Sequence, residues 1–246
     1  MTVGLRAAWR LLRCVLHLAR GLALVLLRFG ALDAAARQAH VGRWSKQMLE
    51  VMGIAVRVEG AVAPGGVLLV ANHISWLDIT ALHAVVPQAR FVSKADIQSW
   101  PLLSRLADAA GTLYLQRDRK RDALRVVHLL AQALADGHTV AVFPEGTTSN
   151  GRELLPFHAN LLQAAIATQA PVQPIALRFS DAQGPISSAV EFVGATTLVE
   201  SLWRVACAEG VVAHIALLPA RTSAGEDRRA LAQALRGDIA ARLARG

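Results

Sequence analysis

The sequence predicts an α/β domain with a mixed, mainly parallel sheet flanked by helices, preceded by an amphipathic two-helix hairpin that docks on a membrane. Three observations predict it. From Ile54 onward, short apolar runs alternate with stretches of helical periodicity. Two of those runs, 67–71 and 140–143, lead straight into loops rich in turn residues, the place where an open parallel sheet carries its chemistry. The residues before Ile54 read as two helices. The boundaries follow: 1–53 for the membrane-associating hairpin and 54–246 for the α/β domain.

The bulk numbers suit one domain with a full core and an appendage. Hydrophobic residues make up 54% of 246, above the ~45–50% usual for soluble chains, and with aromatics at 5% the excess is mainly Ala, Leu and Val. The net charge of +8 calls for an anionic partner. No zinc-ligand spacing or RNA-binding aromatic block supports nucleic acid, so a membrane lipid surface is expected. Residues 1–60 carry nine Arg or Lys against three Asp or Glu, a surplus of +6, so the basicity belongs to the N-terminal quarter. The two cysteines, Cys14 and Cys207, are far apart and form no CxxC, which fits a reduced, cytoplasmic setting.

Residues 5–30 read as one long helix. At 100° per residue, Arg6, Arg10, Arg13, His17, Arg20 and Arg28 fall within an arc of about 80°. Val15, Leu18, Leu22, Leu26 and Phe29 lie opposite, and Leu24 is the exception inside the basic arc. A cationic stripe facing an apolar face is the pattern of a helix lying in a membrane interface. Arg20 at the centre argues against a spanning helix, and His17, Arg20 and Arg28 argue against a cleaved signal peptide. The remaining alternative is a helix packed on the globular domain with its arginines in water. Asp33 caps a second helix over 34–52, closed by Gly53, with Gly30 near the turn.

Strands are expected over 54–58 and 67–71, then a helix over 75–86 with Ser75 as its N-cap. A short strand over 91–93 leads to Lys94, and Pro101 opens a helix through Ala110. A strand over 113–115, a helix over 119–135 and a strand over 139–143 follow. Pro156 opens a helix to Thr168. Strands are expected over 172–179, 189–193 and 211–218, with a helix over 197–208 and a charged amphipathic helix over 223–244.

The stretch Asn72-His73-Ile74-Ser75-Trp76-Leu77-Asp78 stands where the second strand ends. An imidazole titrates near neutral pH and makes a good base. A carboxylate five residues on, across a turn, can fold back to hold the ring in one tautomer. The residue types alone fit a capping cluster equally well, because Asn72, Ser75 and Asp78 are all turn formers. A second block, Phe143-Pro144-Glu145-Gly146-Thr147-Thr148-Ser149, ends the strand over 139–143.

Together, NHISWLD and FPEGTTS resemble the glycerolipid acyltransferase family, which contains the 1-acylglycerol-3-phosphate (lysophosphatidic acid) acyltransferases. Gly111–Arg117, GTLYLQR, is similar to that family's GxxFxxR block, with Tyr114 in place of Phe. Pro171–Ala176, PVQPIA, is similar to its proline-containing block. The resemblance covers about residues 55 to 220, with four blocks in order. Thr148 is the departure, because the family usually has Arg there.

The resemblance implies transfer of an acyl chain from a thioester to the free hydroxyl of a lysolipid, most directly 1-acylglycerol 3-phosphate to phosphatidic acid. His73 would be the base and Asp78 its orienter. No enzyme nucleophile is then required, in keeping with the lack of a G-x-S-x-G elbow. Glu145, Gly146, Thr147 and Thr148 would help bind the acceptor, and Arg117 its anionic headgroup. A solvated basic loop is the plainer reading of Arg117, since Arg119, Lys120 and Arg121 follow it. Lys94, by its position at a strand end, is a weaker candidate for the same crevice. Arg152, just past the turn at Asn150-Gly151, could stand in for the cation missing at 148. The donor is acyl-CoA or acyl-carrier protein, with no further cofactor and no metal-ligand cluster. The alternative acceptor is lyso-ornithine lipid or another lysolipid. A lipid hydrolase and a non-enzymatic peripheral membrane protein are more distant readings. The expected location is peripheral, on the cytoplasmic face of the inner membrane.

Overall fold

The computed structural model describes residues 2–94, 98–115 and 120–245. Its strands are β1 (Ile54–Glu59), β2 (Leu68–Ala71), β3 (Arg90–Lys94), β4 (Leu113–Leu115), β5 (Val140–Val142), β6 (Val172–Ser180) and β7 (Val211–Leu217). They form one sheet in the order β1-β7-β6-β2-β5-β3-β4. Every neighbouring pair is parallel except β6 with β7. All four residues of β2 are buried. A strand covered on both faces must be an unbroken apolar run, as 68–71 is. Val70 lies in register with Val142 of β5 and Pro174 of β6. The chain leaving β2 therefore emerges beside the chain leaving β5.

The helices are α1 (Val3–Arg28), α2 (Ala34–Met52), α3 (Leu77–Val85), α4 (Pro101–Ala109), α5 (Lys120–Ala135), α6 (Gln163–Thr168), α7 (Leu198–Cys207) and α8 (Arg228–Ala244). One sheet face turns Leu69, Ala71, Ile175, Leu177 and Ile215 against Cys14 of α1, Leu49 of α2, Leu82 of α3 and Val205 of α7. The other turns Leu68, Val70, Val142 and Val172 against Leu130 of α5, Ala165 of α6 and Leu235 of α8.

Several local expectations change. Residues 189–193 form no strand. They run as an irregular strap whose Phe192 N–H donates to the Ile74 carbonyl at 3.2 Å. Pro156 does not open a helix directly; a 3-10 turn over Ala159–Leu162 precedes α6. The last helix starts at Arg228, not 223, because Asp227 accepts the N–H groups of Arg229 and Ala230 and caps it there. Ser75 is not an N-cap. Helix α3 begins at Leu77, and the buried Ser75 hydroxyl has no hydrogen-bond partner.

The N-terminal hairpin forms as expected. A 3-10 turn over Phe29–Ala31 joins the helices, and the Asp33 carboxylate accepts the Ala36 N–H at 2.7 Å to cap α2. Gly53 closes α2 at φ 79°, where a Cβ would collide with the Arg10 guanidinium as well as strain the backbone. His17 stacks on Trp44 with centroids 5.0 Å apart, and each ring nitrogen bonds the other residue's carbonyl.

The cationic arc of α1 has a use that periodicity did not reveal. Arg10 donates to the carbonyls of Ala206 at 3.0 Å and Ala208 at 2.7 Å, while Arg6 donates to that of Cys207 at 3.1 Å and pairs with Glu209. These carbonyls belong to the C-terminal end of α7, where unpaired acceptors and the helix dipole favour a cation. Burial, then Arg6 beside it, pulls the Arg10 pKa down. A face of α1 beside the arc is open, with Trp9, Leu12, Leu16 and Leu27 exposed. Of the apolar stripe expected opposite the arc, Val15 and Leu26 are exposed, but Leu18 packs on the core and Phe29 is buried. Val3–Ala31 is the stretch among the described residues that is long and apolar enough to cross a membrane, by length and composition only.

Candidate active site

The catalytic candidates meet at the carboxyl ends of β2 and β5. Asn72 is fully buried and acts as an extra rung of sheet: its side-chain amide donates to the Leu177 carbonyl at 2.9 Å and accepts the Leu177 N–H at 2.8 Å. The chain is thus pinned to β6 one residue before His73.

His73 Nδ1 lies 2.7 Å from Asp78 Oδ2. Asp78 is wholly buried, and the same oxygen accepts the N–H groups of Ile74 at 2.6 Å and Ser75 at 2.9 Å. Three donors on one oxygen hold the turn closed, while Oδ1 is buried with no hydrogen-bond partner. The capping cluster and the His–Asp pair, rival readings of the sequence, are therefore one structure. Facing a carboxylate oxygen, Nδ1 is the ring's donor, which leaves the lone pair of Nε2 for a substrate. The His73 side chain retains 18% of its exposure, enough for that nitrogen to reach a substrate.

Phe143 stacks on the imidazole with centroids 4.0 Å apart and planes within 13°, and Phe91 stacks on Phe143 at 5.9 Å. Phe143 was not among the sequence candidates. Its place as the first residue of FPEGTTS was the available signal.

Glu145 is buried, and both its carboxylate oxygens accept main-chain N–H groups: Oε1 from His73 at 2.8 Å and Oε2 from Leu155 at 3.0 Å. Burial pushes this carboxyl up from its ordinary value, and the two N–H donors oppose the shift. Gly146 follows at φ 71°, with the space beside its Cα filled by the His158 ring. Ser149 returns to the first loop, its N–H donating to the His73 carbonyl at 2.8 Å. Thr147 is exposed, whereas the Thr148 hydroxyl donates to the Phe192 carbonyl. Arg152 is half exposed and paired with Glu191 of the same strap. The backbone of Lys94 ends β3, while its side chain and the whole of Arg117 lie outside the described residues.

Behind the stacked rings lies an apolar cavity of about 660 Å³. Cys14 and Leu18 of α1, Trp44 of α2, Ile79 of α3, Phe91 of β3 and Leu202 of α7 line it. Among the described residues, no group of three or more His, Cys, Asp or Glu side chains could hold a metal ion.

Residues 54–178 match the family model described as Acyltransferase. The chain belongs to the acyltransferase family. This acyltransferase is 37% identical over 209 residues to the lyso-ornithine lipid O-acyltransferase of Pseudomonas aeruginosa, a match covering 83% of this chain and 78% of that one. It is 36% identical over 206 residues to the 1-acyl-sn-glycerol-3-phosphate acyltransferase of Neisseria meningitidis, covering 83% and 80%. Its fold is that of the 1-acyl-sn-glycerophosphate acyltransferase PlsC of Thermotoga maritima, with a TM-score of 0.70 at 19% identity over 96% of this chain and 97% of that one.

Proposed function

We propose that this acyltransferase moves an acyl chain from a soluble thioester, acyl-CoA or acyl-carrier protein, to the free hydroxyl of a lysolipid at a membrane surface. The observation that carries the reading is the His73–Asp78 pair at the carboxyl end of β2 in a chain of this family. His73 Nε2 takes the acceptor's hydroxyl proton as that oxygen attacks the thioester carbonyl, and the leaving thiolate receives the proton. Asp78 holds the ring and stabilises the imidazolium between those steps. The apolar cavity suits an acyl chain: Phe91 of its lining stacks on Phe143, which stacks on His73. The open apolar face of α1 suits the headgroup and acyl boundary of one leaflet, on the side where soluble donors are made.

For the acceptor, 1-acylglycerol 3-phosphate is the first reading, supported by the Neisseria relative. The pairing of Arg152 with Glu191 favours a second. A phosphate monoester drawing Arg152 off Glu191 would leave that carboxylate beside a dianion. A zwitterionic headgroup, such as that of lyso-ornithine lipid, can place its carboxylate on Arg152 and its ammonium on Glu191. The neutral Thr148, bonded to the strap, supplies no cation of its own.

The test is a panel of lysolipids with purified protein and labelled acyl-CoA or acyl-carrier protein. Product with no lysolipid acceptor, a free fatty acid, would mark a hydrolase and sink the reading. Glu191→Gln should shift preference toward lysophosphatidic acid about tenfold if the zwitterion is the natural acceptor, since 1.4 kcal/mol is tenfold.

A further inference from the structure

A second cavity, of about 280 Å³, lies on the sheet face opposite the apolar one. The alternation of the strands places it there. Ile175, Leu177 and Phe179 of β6 and Ala213 and Ile215 of β7 point toward α1 and α7, so Ala176, Arg178, His214 and Ala216 point toward α8. Its charged lining is Arg57 and Glu59 of β1, Arg178 of β6, His214 of β7 and Arg242 of α8.

The register makes this lining unusual. His214 is paired directly with Arg57 on one side and with Arg178 on the other, so three basic side chains stand in a row across three strands. A guanidinium-bearing residue therefore flanks His214 on each side. Arg242 comes down from α8 above the row, its guanidinium bonded to Glu59 at 2.6 Å. Among the described residues of the lining, Glu59 is the carboxylate beside Arg57, Arg178 and Arg242. The imidazole feels all three: burial first, then Arg178, Arg57 and Arg242, drive its pKa down, and Glu59 opposes them. Its Nε2 is 2.8 Å from the Ser180 hydroxyl.

We propose that this cavity is a binding site for a phosphate-class dianion, held by the guanidinium groups of Arg57, Arg178 and Arg242 beside His214. Guanidinium forks match phosphate oxygens two at a time. The volume lies just below the ~300–1,000 Å³ range of small-molecule clefts, so it suits a phosphate-sized head and not a whole lipid. Two sources share that chemistry, a phosphomonoester lipid headgroup projecting from a membrane and a soluble phosphate. The site is independent of acyl transfer, since its residues touch neither His73 nor the apolar cavity.

The experiment follows the histidine ring resonances of the full-length protein in detergent, with His214→Gln assigning the relevant one. The probes are inorganic phosphate and dioctanoyl phosphatidic acid, with sodium chloride at matched ionic strength as control. Saturable displacement of the His214 signal by phosphate is expected. Arg57→Gln, on the exposed edge strand, and Arg242→Gln, on α8, should each weaken it tenfold or more while leaving the remaining histidine resonances in place. Tighter saturation by the lipid than by inorganic phosphate identifies a headgroup, and the reverse identifies a soluble ligand. A response that never saturates, or that chloride reproduces, overturns the proposal, as does unchanged affinity in both folded variants.

Discussion

Glu145 and His73 meet through the main chain and not through their side chains: Glu145 Oε1 accepts the His73 N–H at 2.8 Å. The other oxygen accepts the Leu155 N–H, so this carboxylate braces two loops at once, at the cost of being buried. Glu145→Gln keeps the shape but puts an NH2 against one of those two N–H donors. The expected loss is about 1–3 kcal/mol of stability, with a lower kcat as His73 loses its backbone anchor. Denaturant titration alongside steady-state kinetics checks it. A Gln variant of wild-type stability would show that the brace carries no weight.

The His73–Asp78 pair makes a sharper prediction. His73→Ala should fold normally and lose transfer altogether. Asp78→Asn should lower kcat by ~10³–10⁴, by analogy with other His–Asp pairs, and should also loosen the turn, because the amide is a weaker acceptor for the Ile74 and Ser75 N–H groups. Circular dichroism and single-turnover transfer measure the two effects. Near-normal turnover in folded His73→Ala would remove the mechanism.

What the sequence made legible was whatever local pattern decides. The run 67–71 reads as a buried strand, which puts His73 at a strand's carboxyl end, whereas only the sheet order shows that it emerges beside the loop after β5. What stayed hidden were choices between partners. A Ser and an Asp three residues apart can each cap the same turn, and only the folded turn shows that Asp78 takes the N–H groups while the Ser75 hydroxyl takes none. A Glu in a motif looks the same whether it faces a substrate or turns back on the chain. The segment 189–193 has the apolar content of a strand, but the ladder it joins is the Ile74 carbonyl and the Thr148 hydroxyl, contacts set by residues far away in sequence.

Helix α1 shows the same limit and yields a prediction. Periodicity located the cationic stripe and assigned it to lipid, whereas Arg6 and Arg10 grip the end of α7, and the exposed apolar residues Trp9, Leu12, Leu16 and Leu27 lie beside the stripe, not opposite it. Membrane affinity should then follow the apolar face. Changing Trp9, Leu12, Leu16 and Leu27 to Gln should release the protein from phosphatidylglycerol–phosphatidylethanolamine vesicles, since a fully buried apolar side chain contributes roughly 1.5–3 kcal/mol. Arg10→Ala should leave vesicle binding in place and lower the melting temperature. Co-sedimentation and thermal unfolding separate these, and the opposite assignment of effects would restore the lipid role of the arc.

The last prediction concerns acid. His83 lines the apolar cavity, nearly closed off from solvent, with Nε2 donating to the Ala89 carbonyl at 3.0 Å and its ring edge-on to Phe91 at 4.7 Å. Burial pulls its pKa down to about 4, against the carbonyl's opposing pull, while the unfolded chain has the ordinary 6.5. Between those values the unfolded chain binds a proton that the folded one refuses. Its contribution is therefore complete above pH 6.5 and is lost as pH falls toward 4, about 2 kcal/mol of it by pH 5. His83→Leu removes the titration and keeps an apolar group against Phe91, at a fixed loss of one hydrogen bond at every pH. Denaturant midpoints at pH 7.5 and 5 should separate widely for the wild type and less for the variant, by about that amount. Equal separations in the two proteins would mean that His83 can charge inside the fold, which would in turn require water in a cavity whose walls are almost wholly apolar.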